Sequence, residues 1–311
     1  MEYFRKIVEL QRKHQPSHRR IINGIQTNGT LIDEDWCRFL AAERFGVGFS
    51  LDGPQELHDS HRLTKAGKPT HTQAMRGYEL LRKHGVACDI LCVVHDRNVS
   101  HPLEIYRFFK QIKAAYIGFL PLVEPQPGRE GAMSDSTVPA EAFGDFLCTI
   151  FDEWMNQDIG KVKVQIFEEA AASALGQDHA LCIFKKTCGD VPVIEHNGDF
   201  YSCDHFVDRE HLLGNIRETR LVDLIESPAQ RGFGQAKWGT LPRYCRECDV
   251  LDLCNGGCPK DRMVRTPQGE AGLNYLCAGY KRFFTHCRPF LAELSALRQP
   301  RRPATRTSAP L

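Results

Sequence analysis

The sequence predicts an α/β fold: a parallel sheet or an N-terminally truncated, partial (β/α) barrel, followed by a cysteine-rich domain. Three observations carry this expectation. Helix and strand patterns alternate with short loops over roughly the first 165 residues. The order opens on a helix, whereas a (β/α) barrel opens on a strand, so the opening units are expected to be missing. Eight of the thirteen cysteines then fall between Cys182 and Cys277, where strands shorten and loops fill with Cys, Gly and Pro.

Taken in order, residues 2–14 place Phe4, Ile7, Val8 and Leu10 near helical period. Arg20–Thr27 reads as a strand closed by the turn pair Asn28-Gly29. Asp33 opens a helix to about Arg44, with Trp36, Phe39 and Leu40 on one face. Val47–Leu51 is a short buried strand ending at Asp52-Gly53-Pro54. A helix over Thr72–His84 leads to the strand Ala87–Val94, and one over Leu103–Ile112 leads to Tyr116–Leu122. Strands joined through helices in this way are parallel. After a looser segment, Glu124–Ser136, two helices are expected at Ala140–Trp154 and Phe167–Leu175. Beyond Cys182 come the strands Val191–Glu195 and Asp199–Ser202, joined by His196-Asn197-Gly198. Loops rich in cysteine follow, and a helix near Tyr280–Leu297 closes the fold. The expected divisions are a barrel domain over 1–165, a cysteine-rich domain over 166–296 and a disordered tail over 297–311.

Composition narrows the function. A net charge of +1 gives no electrostatic case for nucleic acid. No apolar run approaches the roughly 18 residues that cross a bilayer. The charged helix at the start lacks the apolar core of a secretion signal, which makes the cytoplasm the expected compartment. In that reducing setting, and with an odd count of thirteen, the cysteines are expected to bind metal and not to form disulfides.

The densest run is Cys245-x2-Cys248-x5-Cys254-x3-Cys258, with Asn255-Gly256-Gly257 inside it and Pro259 after it. Glycine lets backbone come close to a cluster and offer N–H groups to its sulfurs. Both iron–sulfur clusters and structural zinc take four thiolates, and spacing alone leaves the two open. Cys37, Cys148 and Cys287 read as buried inert thiols. Cys88-x3-Cys92-x2-His95 imitates a three-thiolate motif, but it lies in a predicted strand that turns His95 to the opposite face.

CDHF at 203–206, GNI at 214–216 and CNGGCPK at 254–260 resemble the SPASM domain of radical S-adenosylmethionine enzymes. QTNGTLID (26–33), SLDGP (50–54), HDSHR (58–62), GFLPLVE (118–124) and LNYLCAGYKRFF (273–284) resemble the anaerobic sulfatase-maturating enzymes among them. The blocks keep the family's order and span nearly the whole chain. The resemblance implies a radical S-adenosylmethionine partial (β/α) barrel and a SPASM domain with two auxiliary 4Fe–4S clusters. It implies Cys182, Cys188, Cys203 and Cys258 as ligands of one cluster, and Cys245, Cys248, Cys254 and Cys277 as ligands of the other. It also implies Asp204 as the general base in oxidation of a sulfatase Cys or Ser to Cα-formylglycine; without the resemblance, Asp204 reads as a solvated loop carboxylate. Gln26, Ser50, Asp52 and Arg62 are implied contacts of S-adenosylmethionine or substrate, although strand-end polar residues also serve as caps. The implied partners are an unfolded or nascent sulfatase and an electron donor such as flavodoxin or ferredoxin.

One departure bears on activity. The family's radical-forming cluster needs CxxxCxxC and a later Gly-Gly-Glu-Pro motif, and neither occurs among these 311 residues. S-adenosylmethionine and the third 4Fe–4S cluster are therefore expected only in a full-length form, and this chain alone is expected to be inactive. The alternatives are a non-catalytic iron–sulfur electron-transfer or binding protein, or a maturase of another peptide.

Overall fold

A computed structural model describes residues 1–129 and 132–298, and it divides into two compact units, one from Met1 to Phe167 and one from Glu168 onward. In the first unit the expected alternation is realised. Helix α1 (Glu2–His14) precedes strand β1 (Gly24–Thr27), helix α2 (Glu34–Ala42) and strand β2 (Gly46–Ser50). Helices α3 (Gln55–Asp59) and α4 (His71–Lys83) lead to β3 (Cys88–Val94). Helix α5 (Pro102–Gln111), strand β4 (Tyr116–Pro121), helix α6 (Ala140–Gln157) and strand β5 (Lys163–Val164) complete the unit.

The strands form one sheet in the order β1-β2-β3-β4-β5, all parallel. Parallel pairing buries both faces, and β2 and β3 read accordingly, with Phe49, Ile90, Cys92 and Val94 fully buried. The register sets Thr27 beside Phe49 and Ser50 beside Leu91, so the C-terminal ends of neighbouring strands share one edge. Active sites of such sheets assemble there.

Two local choices hold the helices to this sheet. Asp33 caps α2, its carboxylate accepting from the Trp36 N–H at 2.9 Å. Gly29, at φ +73°, tolerates no side chain, because a Cβ would lie 2.2 Å from the Phe49 ring. The first strand is shorter than expected. Residues 20–23 stay outside the ladder because pairing begins at Gly24 opposite Gly46, where the partner strand itself begins. Ile22 is accordingly 80% exposed.

Helix α7 (Gln165–Ala174) passes from the first unit into the second. The second unit contains the antiparallel sheet of β6 (Val193–Ile194), β7 (Asp199–Tyr201) and β8 (Leu212–Asn215). Four helices follow where the sequence reads as loop: α8 (Leu221–Ile225), α9 (Pro228–Gly239), α10 (Arg243–Arg246) and α11 (Leu251–Cys254). A second antiparallel pair, β9 (Val264–Arg265) and β10 (Ala271–Leu273), precedes the long helix α12 (Cys277–Arg298). Helix α12 starts three residues earlier than expected, which puts Cys277 in its first turn. The tail expected to be disordered lies, from residue 299 on, outside the described residues.

Candidate metal centres

Thiols from three segments meet at one cavity. Cys245 and Cys248 come from α10 and the turn after it, Cys254 from the end of α11 and Cys277 from the start of α12. Tyr244, Val250, Leu251 and Leu273 wall the same cavity, so the four sulfurs share an apolar surround. Burial is the largest influence on Cys245, Cys254 and Cys277; it raises Cys245, and pushes Cys254 up to about 12 and Cys277 to about 11. The nearby thiols Cys277, Cys245 and Cys248 push Cys254 further in the same direction. The N–H of Gly256 opposes them by hydrogen bonding to Cys254. Cys277 also sits at a helix N-terminus, where the macrodipole favours an anion.

Cys182, Cys188, Cys203 and Cys258 form a second group. Cys188 feels Cys182, Cys258 feels Cys188, and Cys203 feels Cys258. Burial comes first here too, raising Cys182 and Cys188, and lifting Cys203 to about 12 and Cys258 to about 11. Backbone N–H groups two residues downstream, at His205 and Lys260, support the thiolates of Cys203 and Cys258. The exposed Asp204 carboxylate accepts from the Cys203 thiol at 3.2 Å.

The link between the groups is the turn Asn255-Gly256-Gly257, all three residues having positive φ, at 46°, 75° and 62°. Asn255 donates to the Phe184 carbonyl at 2.7 Å, and Asn274 donates to the Cys258 carbonyl at 3.0 Å. A Cβ on Gly257 would lie 2.6 Å from the Asn274 amide nitrogen, so the motif's glycine is required by close approach as well as by φ. Eight buried or half-buried thiols in two groups of four, with N–H donors aimed at several, fit two anionic four-thiolate centres.

Helix α9, missed in the sequence reading, organises the group that includes Cys182. Its buried residues Gln230, Gly234 and Lys237 repeat at helical period along one stripe. Gln230 donates to the carbonyls of Gly189 and Ser202. Gly234 lies against the Cys188 backbone, whose N–H donates to the Gly234 carbonyl at 3.1 Å. Lys237 Nζ donates to the carbonyls of Cys182 at 2.6 Å and Ile183 at 2.9 Å. A hydrophobicity pattern cannot show a polar stripe, yet Ser227-Pro228 was a legible start signal: the Ser227 hydroxyl caps the helix and Pro228 opens it.

In the first unit, the strand-end residues are occupied with one another. Asp52, 2% exposed, receives both Arg62 nitrogens, Nε at 2.5 Å and Nη2 at 3.0 Å, and the Val93 N–H at 2.8 Å. His58 Nδ1 accepts from the Asp52 N–H, and its other nitrogen meets Thr70 Oγ1 at 3.2 Å. Burial holds its pKa at about 4, so the ring is neutral. Asp59 accepts the N–H groups of Thr70 and His71 at the start of α4. The block 58–62 is thus a set of mutual ties between a loop, two helices and β3. Ser50 is buried and Gln26 is exposed. His61, His95 and Asp96 also gather at this edge, with His61 Nε2 3.1 Å from Asp96 Oδ1. In β3, burial drives Cys92 well up and Cys88 to about 12, as for inert thiols.

Residues 2–109 match the Radical SAM superfamily, and residues 182–249 match the SPASM iron–sulfur cluster-binding domain. A serine-type anaerobic sulfatase-maturating enzyme of Bacteroides thetaiotaomicron is 46% identical over 304 residues, covering 94% of this chain and 73% of the relative. A cysteine-type anaerobic sulfatase-maturating enzyme of Clostridium perfringens is 33% identical, covering 95% of this chain and 80% of the relative. The solved structure of native anSMEcpe with bound AdoMet and Cp18Cys peptide superposes with a TM-score of 0.87 at 32% identity, covering 96% of this chain and 82% of that one. Streptococcus suis SuiB bound to S-adenosylmethionine, at 16% identity and a TM-score of 0.55 over 83% of this chain and 60% of that one, shares the fold. With both family matches in one chain, the chain is a member of the anaerobic sulfatase-maturating enzymes of the radical SAM superfamily.

Proposed function

We propose that this chain serves the oxidation of a sulfatase cysteine or serine to Cα-formylglycine in the cytoplasm. In this reading Cys182, Cys188, Cys203 and Cys258 hold one 4Fe–4S cluster, and Cys245, Cys248, Cys254 and Cys277 hold the other. The observation that carries it is the meeting of Cys245, Cys248, Cys254 and Cys277 at one cavity, with the Asp204 carboxylate lying against a thiol of the other group. When bound, the clusters supply one-electron acceptance and S-adenosylmethionine supplies the hydrogen-abstracting radical. The side-chain oxidation removes one hydrogen atom from Cβ, one proton from the thiol or hydroxyl, and one electron; serine gives the aldehyde directly, and cysteine gives a thioaldehyde that water hydrolyses to the aldehyde with release of hydrogen sulfide. Asp204 is the proton acceptor in this reading; its carboxylate is exposed to an incoming peptide and sits beside a cluster ligand. Four thiolates on each cluster leave no iron open to substrate. A flavodoxin or ferredoxin is the matching electron donor.

The test is anaerobic reconstitution of the 311-residue chain followed by iron, sulfide and zinc analysis. About eight iron and eight sulfide are expected, four of each per cluster. Zinc with little iron would overturn the reading. Cys203→Ser is expected to lose about four iron, and Asp204→Asn none, if Asp204 is a neighbour of the ligand set and not a ligand.

A second reading is an iron–sulfur electron-transfer or binding protein, supported by the match of residues 182–249 to an iron–sulfur cluster-binding domain. Formation of 5′-deoxyadenosine from S-adenosylmethionine separates the two, and this polypeptide by itself is expected to form none.

A further inference from the structure

Two cations beside the thiol groups have no carboxylate partner among the described residues. Lys237 is 1% exposed and spends its protons on the carbonyls of Cys182 and Ile183. Arg262, half-buried, donates to the carbonyls of Lys237 at 2.6 Å, Gly256 at 3.1 Å and Asn255 at 3.3 Å. The neighbouring buried acid, Asp261, is taken by Lys260 at 2.7 Å. A buried charge without a counter-charge costs several kcal/mol, so its presence points to an anion nearby. Among the described residues, the groups that act on both cations as negative partners are cysteines. Burial is the largest influence on Lys237 and lowers its pKa; Cys188, Cys258 and Cys182, all from one group, oppose that by favouring the charged form. Arg262 lies in the field of both groups, Cys188 and Cys258 from one, Cys245 and Cys254 from the other. Its place explains this: it grips the Asn255-Gly256 carbonyls, in the turn that joins Cys254 of one group to Cys258 of the other.

We infer that Lys237 and Arg262 are positioning residues for the electron-accepting function: fixed counter-charges that raise the reduction potentials of the bound clusters, Arg262 acting on both clusters and Lys237 on one. The physical reason is differential. An oxidised 4Fe–4S core with four thiolates carries a net charge of roughly −2, and reduction adds one more negative charge. A nearby cation in a low-dielectric surround therefore stabilises the reduced form more than the oxidised form. Arg262 stays charged at any working pH. Its guanidinium also braces the turn between the groups, which couples the two sites through one side chain.

The inference rests on the cluster reading above, and the experiment separates the two. The reconstituted wild-type chain is assayed for iron and then titrated with dithionite under electron paramagnetic resonance, alongside Lys237→Gln, Arg262→Gln and Arg262→Lys. Wild type that loads no iron–sulfur cluster defeats the cluster reading itself. With clusters loaded, Arg262→Gln is expected to move both couples to more negative potential. Lys237→Gln is expected to move one couple and leave the other, and Arg262→Lys to stay near wild type. The expected size is at least a tenfold change in the reduction equilibrium, about 59 mV for one electron. Loaded glutamine variants with unchanged potentials overturn the inference, as does an equal shift of both couples by Lys237→Gln. If a glutamine variant loses iron, Lys237→Met and Arg262→Met keep the aliphatic stem, and the same two outcomes are read from them.

Discussion

At the scale of single residues, close approach and burial decide what each side chain can do. Asp52 shows this: an acid implied as a ligand contact has both oxygens taken by Arg62 and the Val93 N–H. Asp52→Asn is expected to leave Arg62 uncompensated and to cost about 3 kcal/mol in urea unfolding. A loss below about 0.5 kcal/mol would place Asp52 among ordinary surface groups. His58 and His95 are each 1% exposed, with pKa values pushed down to about 4, chiefly by burial. The sign follows from that depression. Their contribution to stability is whole above the unfolded value near 6.5 and is lost as pH falls toward 4. The unfolding free energy measured in urea is expected to fall on acidification across that window, by on the order of 1 kcal/mol per pH unit for each ring. His58→Gln should flatten this slope; an unchanged slope would show that other groups carry it. Gly257→Ala adds a Cβ at φ +62°, 2.6 Å from Asn274, which itself holds the Cys258 carbonyl. Reduced iron content and a lowered melting temperature are the expected result.

At the scale of elements, helix α9 is the piece on which the Cys182 group depends. Its stripe of Gln230, Gly234 and Lys237 ties down the segments bearing Cys203, Cys188 and Cys182 in turn. Ser227→Ala removes the cap and is expected to cost about 1 kcal/mol. Gly234→Ala drives a Cβ to 2.6 Å from the Cys188 carbonyl. Iron analysis should then show loss of about four of eight irons, the second group being intact. Loss of all eight would mean that the two groups assemble as one. The same helix marks where sequence reasoning fell short. Three glycines and a polar stripe hide a helix whose purpose is to bind backbone carbonyls, and hydrophobic period sees only apolar burial. Strand β1 errs in the other direction: Arg20–Asn23 has a strand's composition but no partner to pair with.

At the scale of the whole molecule, the prediction is a contrast between assembly and chemistry. The chain is expected to hold about eight iron and eight sulfide, yet to cleave no S-adenosylmethionine by itself. 5′-Deoxyadenosine detected with the purified chain would sink the second half of that statement without touching the first. The parallel α/β unit was legible because buried strands and amphipathic helices leave strong periodic patterns at fixed spacing, as in Val47–Leu51 and Ala87–Val94. The cysteine-rich domain was legible too, from CxxC-like spacing beside paired glycines, and residues 182–249 match an iron–sulfur cluster-binding domain. Spacing could not divide eight thiols into two fours, since Cys254 and Cys258 are close in sequence yet fall into different groups. Residue spacing did not place Cys277 against Cys254, a pairing that only the resemblance implied, and the tertiary structure alone set Lys237 and Arg262 beside the thiols, 55 and 80 residues from Cys182. The reason is physical: local pattern records which face of an element is buried, while the partners of a buried charge are chosen by chain crossings that leave no periodic trace.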